Sequence, residues 1–354
     1  MRIIMLIDMD YFYVACEELR HPEIKGKPSI VGADPKGGAG RGVVMTCNYK
    51  AREFGIRSGM PISVAYKAKP DAVFLPVDFD YYDEISKKVM EVIKVFAGKF
   101  EQVSVDEAFI DASSKVPDYE DAEAYAKKIQ DEVLSKAGIK SSIGIGPNKL
   151  IAKMACEKAK PNGIKLVTDA QSRRFLAEMD VGKMYGIGGK TSEKLKKLGY
   201  NTIGELAKAN PMRLIDQFGA FGPEMVKNAN GIDDSDVIEN YEVKSIGREL
   251  TFEQNTDDDR VVEKAIEKLS ADVIADASKN QKSFKTITLK LRYGDFTEHL
   301  HSRSVRATNE LNTIIQTAKE LYRQSVDKSK KVRKIGVRVS NLISNKGQKK
   351  ISLD

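Results

Sequence analysis

The chain has 354 residues, too many for one ordinary domain and enough for two to four at about 150 residues each. Apolar residues make up 41% and charged residues 31%, which excludes a disordered polymer. Fifty-eight Lys and Arg against 51 Asp and Glu give a net charge of +7, a lean towards a polyanionic partner.

The run Arg2-Ile-Ile-Met-Leu-Ile-Asp8 predicts a strand buried on both faces, with Asp8 at its carboxyl end. A helical stretch carrying Ala15 and Leu19 follows, then a strand at Pro28–Val31. Lys36–Gly42 is a glycine-rich loop without the spacing of a Walker phosphate loop. Val43–Thr46 predicts a strand running into a helix over Asn48–Phe54, and helix returns over Tyr81–Phe96. Between Glu101 and Asp111 the apolar phase flips across Asp106-Glu107, which predicts a hairpin or a bulge at that pair. A helix over Asp121–Lys136, a strand over Ser141–Gly146 and a helix over Asn148–Lys158 lead into Lys160-Pro-Asn-Gly163.

From Ser172 to Gly231 the pattern is all-helical. Tyr185–Leu198 has the form of a helix-hairpin-helix, and Phe218–Gly222 that of a looser second hairpin. Residues 233–243 are acidic and weakly patterned, as in a linker. Beyond them, βαβ-like alternation predicts strands at Ser245–Thr251, Thr286–Arg292 and Arg333–Ser340, with helices at Asp258–Ala277 and Thr308–Val326. From Lys244 onwards 23 basic and 15 acidic residues give +8, while the first 243 residues carry 35 and 36, a net of −1. That asymmetry favours a module that tracks a nucleic-acid backbone.

No apolar run reaches the ~20 residues of a membrane helix, and Met1–Ile7 is too short for a signal peptide. Three widely spaced cysteines form neither a CxxC zinc pair nor a disulfide framework, and three histidines argue against a Ser-His-Asp triad. The expected compartment is the cytoplasm.

Carboxylates at the ends of core strands are costly unless they are paired or bound to a cation. Asp8, Asp106 and Glu107 therefore read either as paired structural acids or as an oxygen-ligand site for Mg²⁺. Two such ions, about 3.5–4 Å apart, serve in-line displacement at phosphorus. Asp10 either belongs to that site or caps the following helix, whose first N–H groups at Tyr11, Phe12 and Tyr13 could meet an anion. Tyr49 and Arg52 share a helix face and could grip phosphate, as could Lys160, or all three could be ordinary packed and surface residues. Gly186 and Gly188 would let backbone amides reach a DNA phosphate, with Lys190 beside them.

Asp8-Met-Asp-Tyr-Phe-Tyr13, Asn48-Tyr-Lys-Ala-Arg52, Gly55-Ile-Arg-Ser-Gly-Met-Pro61 and Ser104-Val-Asp-Glu-Ala-Phe-Ile-Asp111 come in a telling order. They are followed by Gly146-Pro-Asn-Lys-Leu-Ile-Ala-Lys153, Lys160-Pro-Asn-Gly163, Gly186-Ile-Gly188 and Lys244-Ser-Ile-Gly-Arg248. In these residues nearly the whole chain resembles the Y-family translesion DNA polymerases, in the DNA polymerase IV (DinB-type) branch.

The resemblance implies an α+β, multidomain right-hand polymerase. A ferredoxin-like palm would span 1–10 and 79–166, small fingers 11–78, and a helical thumb with the helix-hairpin-helix 167–232. A linker at 233–243, an α/β little finger at 244–345 and a tail at 346–354 would complete it. It implies low-fidelity, DNA-directed synthesis past damaged bases, without a proofreading exonuclease. Asp8, Asp106, Glu107 and the Met9 carbonyl would bind two Mg²⁺, with Mn²⁺ as a substitute. Tyr49, Arg52 and Lys160 would hold the incoming deoxynucleoside triphosphate, helped by Thr46 and the Phe12 backbone. Tyr13 would be the steric gate against a ribose 2′-hydroxyl. Gly186, Gly188, Lys190, Arg248 and Arg338 would meet primer-template DNA. A monomer is expected, off the membrane, with Ile351-Ser-Leu-Asp354 resembling the start of a sliding-clamp peptide that lacks its usual aromatics. Tyr185 stands where such hairpins usually have proline, and Met45 sits under the expected nascent base pair. A nucleotidyl cyclase or another palm-type enzyme, and a non-catalytic DNA-binding protein, are the rival readings.

Overall fold

The computed structural model describes residues 1–239 and 242–344. The chain divides into two compact units between residues 240 and 241. The first opens with β1 (Ile4–Met9), every residue of which is buried, and α1 (Phe12–Arg20). A small layer follows: β2 (Ser29–Gly32), β3 (Val44–Cys47), α2 (Tyr49–Arg52), α3 (Ile62–Ala68) and β4 (Val73–Leu75). There β2 pairs antiparallel with β3 and parallel with β4, around Ile30, Val44, Ile56 and Ile62. The predicted helix from Asn48 is cut to one turn: Asn48 accepts from the Ala51 N–H at its start, and Gly55 turns the chain away at φ 77°.

The chain continues through α4 (Phe79–Phe96), β5 (Lys99–Gln102), β6 (Glu107–Asp111), α5 (Tyr119–Ala137), β7 (Ser141–Gly146), α6 (Lys149–Ala159) and β8 (Ile164–Leu166). Five strands form one sheet in the order β5-β6-β1-β7-β8, with β1 at its centre. The side-chain period of two splits β1 between two cores. Met5, Ile7 and Met9 pack with α4 and α5, while Ile4 and Leu6 pack with Phe109 and with Ala152 and Cys156 of α6. Each such side chain contributes about 1.5–3 kcal/mol when fully buried. α6 lies so close to β7 that a Cβ on Gly144 would stand 2.0 Å from the Ala152 carbonyl oxygen. The phase flip at Asp106-Glu107 is a hairpin: the Val103 N–H donates to the Glu107 carbonyl at 3.0 Å, and β5 and β6 pair on either side.

Helices α7 (Asp169–Ala177), α8 (Gly189–Lys197), α9 (Ile203–Leu206), α10 (Pro211–Phe218) and α11 (Phe221–Ala229) enclose a core with Leu176, Val181, Leu195, Leu214 and Met225 at its centre. Residues 233–239, the described first part of the expected linker, are strapped to the first unit's sheet. Val237 is 4% exposed and joins the Ile4–Leu6 core face. The Ile238 N–H donates to Glu101 Oε2 at 2.7 Å, the Leu150 N–H to Asp233 Oδ2 at 3.0 Å, and Arg2 to the Ser235 carbonyl at 2.5 Å. The pattern is weak in sequence because a single apolar residue docks a strap held otherwise by backbone groups and by the acidic side chains of Asp233, Asp234 and Asp236.

The second unit contains β9 (Ser245–Thr256), α12 (Asp259–Lys279), β10 (Lys282–Tyr293), β11 (Glu298–Thr308), α13 (Leu311–Ser325), β12 (Val332–Ser340) and β13 (Ile343–Ser344). The sheet order is β11-β10-β12-β9, and every pairing is antiparallel. The βαβ-like alternation is present, but β12 lies between β9 and β10, so no parallel neighbours form. Strand β11 is unmarked in sequence because it is an edge strand with largely exposed, polar residues. The helices pack on one face against Ile287, Leu289, Leu291 and Val337, leaving the other face open. Among the described residues no helix is long and apolar enough to cross a membrane.

Candidate active site

The end of β1 brings the acids together. Asp8 stands directly opposite Glu107 on β6 and Ser142 on β7. The Met9 N–H donates to the Asp106 carbonyl at 2.9 Å, so all three acids lie at one end of the sheet. Asp8 is 4% exposed. Burial first, then its hydrogen bond with Glu107, push its carboxyl up to about 8, against the pull of Lys160. For Glu107, burial works upwards, but the Asp8 hydrogen bond and the Lys153 charge prevail and hold it below its ordinary value. Burial raises Asp106, although its Oδ1 accepts from the Ser104 hydroxyl at 2.6 Å.

Sequence reading placed three converging carboxylates here. The structure joins Asp8 and Glu107 and turns Asp106 towards Ser104, and among the described residues no three His, Cys, Asp or Glu side chains converge closely enough to hold a metal ion. Like charges at one sheet end repel, and the proton that Asp8 retains, two ammonium groups and a hydroxyl relieve them. Lys160 Nζ lies 2.8 Å from Asp8 Oδ2, and Lys153 Nζ pairs with Glu107 and stands 3.9 Å from Asp8. Burial opposes the Lys160 charge, but Asp8 and Glu157 outweigh it and hold that ammonium firmly protonated. The donors are hard oxygens that already draw two cationic groups, the chemistry a divalent cation takes, and Asp106 would have to turn from Ser104 to join Asp8 and Glu107 around one. Lys153 escaped sequence reading; its signal is the i, i+4 spacing of Lys149 and Lys153 on one face of the helix, where Lys149 meets the buried Glu101 and Lys153 the half-buried Glu107.

Tyr49 opens α2. Its ring is flanked by the Arg52 guanidinium at 4.8 Å and the edge of Tyr11 at 5.5 Å. Arg52 Nε donates to the Cys47 carbonyl at 3.3 Å. The Tyr49 hydroxyl donates to Asp10 Oδ1 at 3.1 Å. Asp10 does not cap α1: Tyr11 precedes that helix at φ 41°, and no side chain caps it, which leaves its first N–H groups without intrahelical partners. Phe12 is buried in that first turn, and Thr46 is half-buried on β3 opposite Val31. Tyr13 stacks on Tyr82 at 4.6 Å and 22°, and the Tyr82 hydroxyl donates to Glu17 at 2.6 Å. Its ring is thus backed by a buried, hydrogen-bonded wall.

In the helical segment, Gly186 adopts φ 86° and Gly188 is the N-cap of α8, with Lys190 exposed in its first turn. A Cβ on Gly188 would meet nothing within 4 Å, so packing within the chain does not demand glycine there. In the second unit the two named arginines lie on opposite faces of the sheet. Arg248 pairs in register with buried Val337 and forms an ion pair with Asp276 of α12 at 2.5 Å. Arg338 lies opposite Gly247 and Thr288, exposed on the open face.

The chain matches the impB/mucB/samB family model over residues 7–157, its C-terminal domain over 243–353 and its HHH motif over 170–200. It is 43% identical to DNA polymerase IV 2 of Methanosarcina mazei, over 96% of this chain and 92% of that one. It is 41% identical to DNA polymerase IV of Methanoculleus marisnigri, over 96% and 94%. Among solved structures, a Y-family DNA polymerase chimera, Dbh-Dpo4(243-245)-Dbh, matches with a TM-score of 0.88 and 31% identity over 97% of this chain and all of that one. An insertion ternary complex of Dbh DNA polymerase matches at 0.68 and 30%, over 97% of this chain and all of that one. An acidic sheet end in a chain that also carries a helix-hairpin-helix is the combination of a nucleotidyl-transfer enzyme, and the chain belongs to the impB/mucB/samB family of Y-family polymerases. It is a DNA-directed DNA polymerase of the low-fidelity translesion class, in a metal-dependent family. The cyclase and non-catalytic readings fall away.

Proposed function

We propose that this chain extends a primer 3′-hydroxyl with deoxynucleotides, past damaged template bases, at the sheet end that carries Asp8, Asp106 and Glu107. The observation that supports it most is the register pair of buried Asp8 and half-buried Glu107, which draws two lysine ammonium groups. Two Mg²⁺, or Mn²⁺ in their place, held by these three acids and the Met9 carbonyl would activate the primer hydroxyl and neutralise the leaving pyrophosphate.

The chain's own residues do the rest. Lys160, Arg52 and the Tyr49 hydroxyl bind the triphosphate oxygens, with Thr46 and the unpartnered amides near Phe12 completing the grip. Lys160 leaves Asp8 for the triphosphate as the nucleotide arrives. Tyr13, held by Tyr82, fills the space of a 2′-hydroxyl. The amides at Gly186 and Gly188, with Lys190, bond template or primer phosphates without reading sequence. Arg338 meets the duplex from the open sheet face of the second unit; Arg248, paired with Asp276, exchanges that partner to take part.

In this reading 1–10 and 79–166 are the palm, 11–78 the fingers, 167–232 the thumb and 244–345 the little finger. The enzyme works as a monomer in the cytoplasm. A sliding clamp would engage the tail at 346–354, which lies outside the described residues. Running-start extension across an abasic site, with and without Mg²⁺, tests the function. Metal-dependent bypass is expected; a full stop one nucleotide before the lesion, with undamaged template copied normally, would reject translesion synthesis.

A further inference from the structure

We propose that Asp10 is a positioning residue for the incoming triphosphate: its buried carboxylate holds Tyr49 and the turn after Lys160 together. This rests on the reading that Tyr49 and Lys160 grip that substrate.

Asp10 is 2% exposed, and the donors that meet its carboxylate among the described residues are neutral. A buried anion without a cation survives only if donors satisfy it. Asp10 has three neutral ones. Its Oδ1 accepts from the Tyr49 hydroxyl at 3.1 Å and the Ser142 hydroxyl at 2.9 Å; its Oδ2 accepts from the Asn162 N–H at 2.7 Å. These donors come from α2, from β7 and from the turn following Lys160, where Asn162 sits at φ 51°. One carboxylate therefore sets the distance between two segments that must close on the same phosphates.

The Tyr49 hydroxyl has a single proton. In the free chain it points to Asp10, and burial together with that neighbouring charge holds the phenol above its ordinary range, so it stays a donor. When a triphosphate arrives, this proton turns from Asp10 to a phosphate oxygen. Ser142 and Asn162 continue to donate to the carboxylate, so the exchange does not strand a buried anion. Ser142 thus makes the Tyr49 hydroxyl available.

The test is steady-state nucleotide insertion by Asp10→Asn and Ser142→Ala, each alone and combined with Tyr49→Phe, beside Tyr49→Phe and Lys160→Ala as controls. Asp10→Asn is expected to raise the deoxynucleotide KM roughly tenfold with kcat within about threefold. Ser142→Ala, a deletion of one hydroxyl that keeps the fold, is expected to raise KM about threefold, and that rise should vanish on the Tyr49→Phe background. A merely structural serine would add its cost on either background. If the controls raise KM while Asp10→Asn and Ser142→Ala leave it unchanged, or if Ser142→Ala and Tyr49→Phe are additive, the positioning role is overturned. If the controls themselves leave KM unchanged, the triphosphate reading fails, and Asp10's role with it. Should Asp10→Asn not fold, the Ser142→Ala cycle alone decides.

Discussion

Lys160 Nζ lies 2.8 Å from Asp8 Oδ2, across 152 residues of chain. Even beside that ammonium, burial and the Glu107 hydrogen bond raise the Asp8 carboxyl from 3.8 to about 8. The folded chain binds this proton more tightly than the unfolded chain. Asp8 therefore contributes stability that is complete below its unfolded value and lost as pH rises through about 8. In metal-free buffer, the melting temperature of the wild type should fall relative to that of Asp8→Asn as pH rises from about 4 to 8. Parallel pH profiles would remove Asp8 as the titrating group.

Tyr13 is clamped by its stack on Tyr82, which is itself bonded to Glu17. Removing the ring opens space without disturbing the acids. Tyr13→Ala should lower discrimination against ribonucleotides by roughly tenfold or more, measured as a ratio of kcat/KM values. Unchanged sugar selectivity would show that another residue is the gate.

On the open face of the second unit, Glu249 binds Lys290 and Lys334 at 2.9 Å, and Glu298 binds Arg292 at 2.8 Å and Lys290 at 3.2 Å. Burial pushes the Glu249 carboxyl up, but those two lysines outweigh it and hold it below the usual carboxylate range. If this face tracks the DNA backbone, these acids mask cations that phosphates would otherwise meet. With about five phosphates neutralised, the log–log salt slope of DNA affinity is near −4 to −5. Glu249→Gln with Glu298→Gln should tighten binding and make the slope more negative by roughly 1–2 units. An unchanged slope would mean that this face does not track the backbone.

Val237 pins the strap at 233–239 to the Ile4–Leu6 side of the sheet. Val237→Ala should cost about 1–3 kcal/mol locally and strip hydrogen-exchange protection from the Ile238 amide, which donates to Glu101. Full protection in the variant would show that the polar contacts alone hold the strap.

Several of these features were readable from sequence. A continuous apolar run ending in Asp8 announces both a central strand and an acid at its end, because burial on two faces leaves no polar alternation. The phase flip at Asp106-Glu107 marks the hairpin that sets Glu107 opposite Asp8. Asp10 was not legible: a local cap and a long-range hub look alike in sequence, and its partners lie 39, 132 and 152 residues away. The antiparallel order of the second sheet was hidden because alternation records element types, not neighbours. Strand β11 was hidden because an edge strand needs little apolar marking. The opposite facing of Arg248 and Arg338 follows only from register, which a strand prediction does not fix.

The central claim is that Asp8, Asp106 and Glu107 serve catalysis and not the holding of DNA. Its most direct measurement compares primer extension and primer-template affinity for Asp106→Ala and Glu107→Ala. The expected result is extension reduced by at least about 10³-fold, with the DNA dissociation constant within about threefold of the parent value. Affinity lost in step with activity, or extension retained, would contradict it.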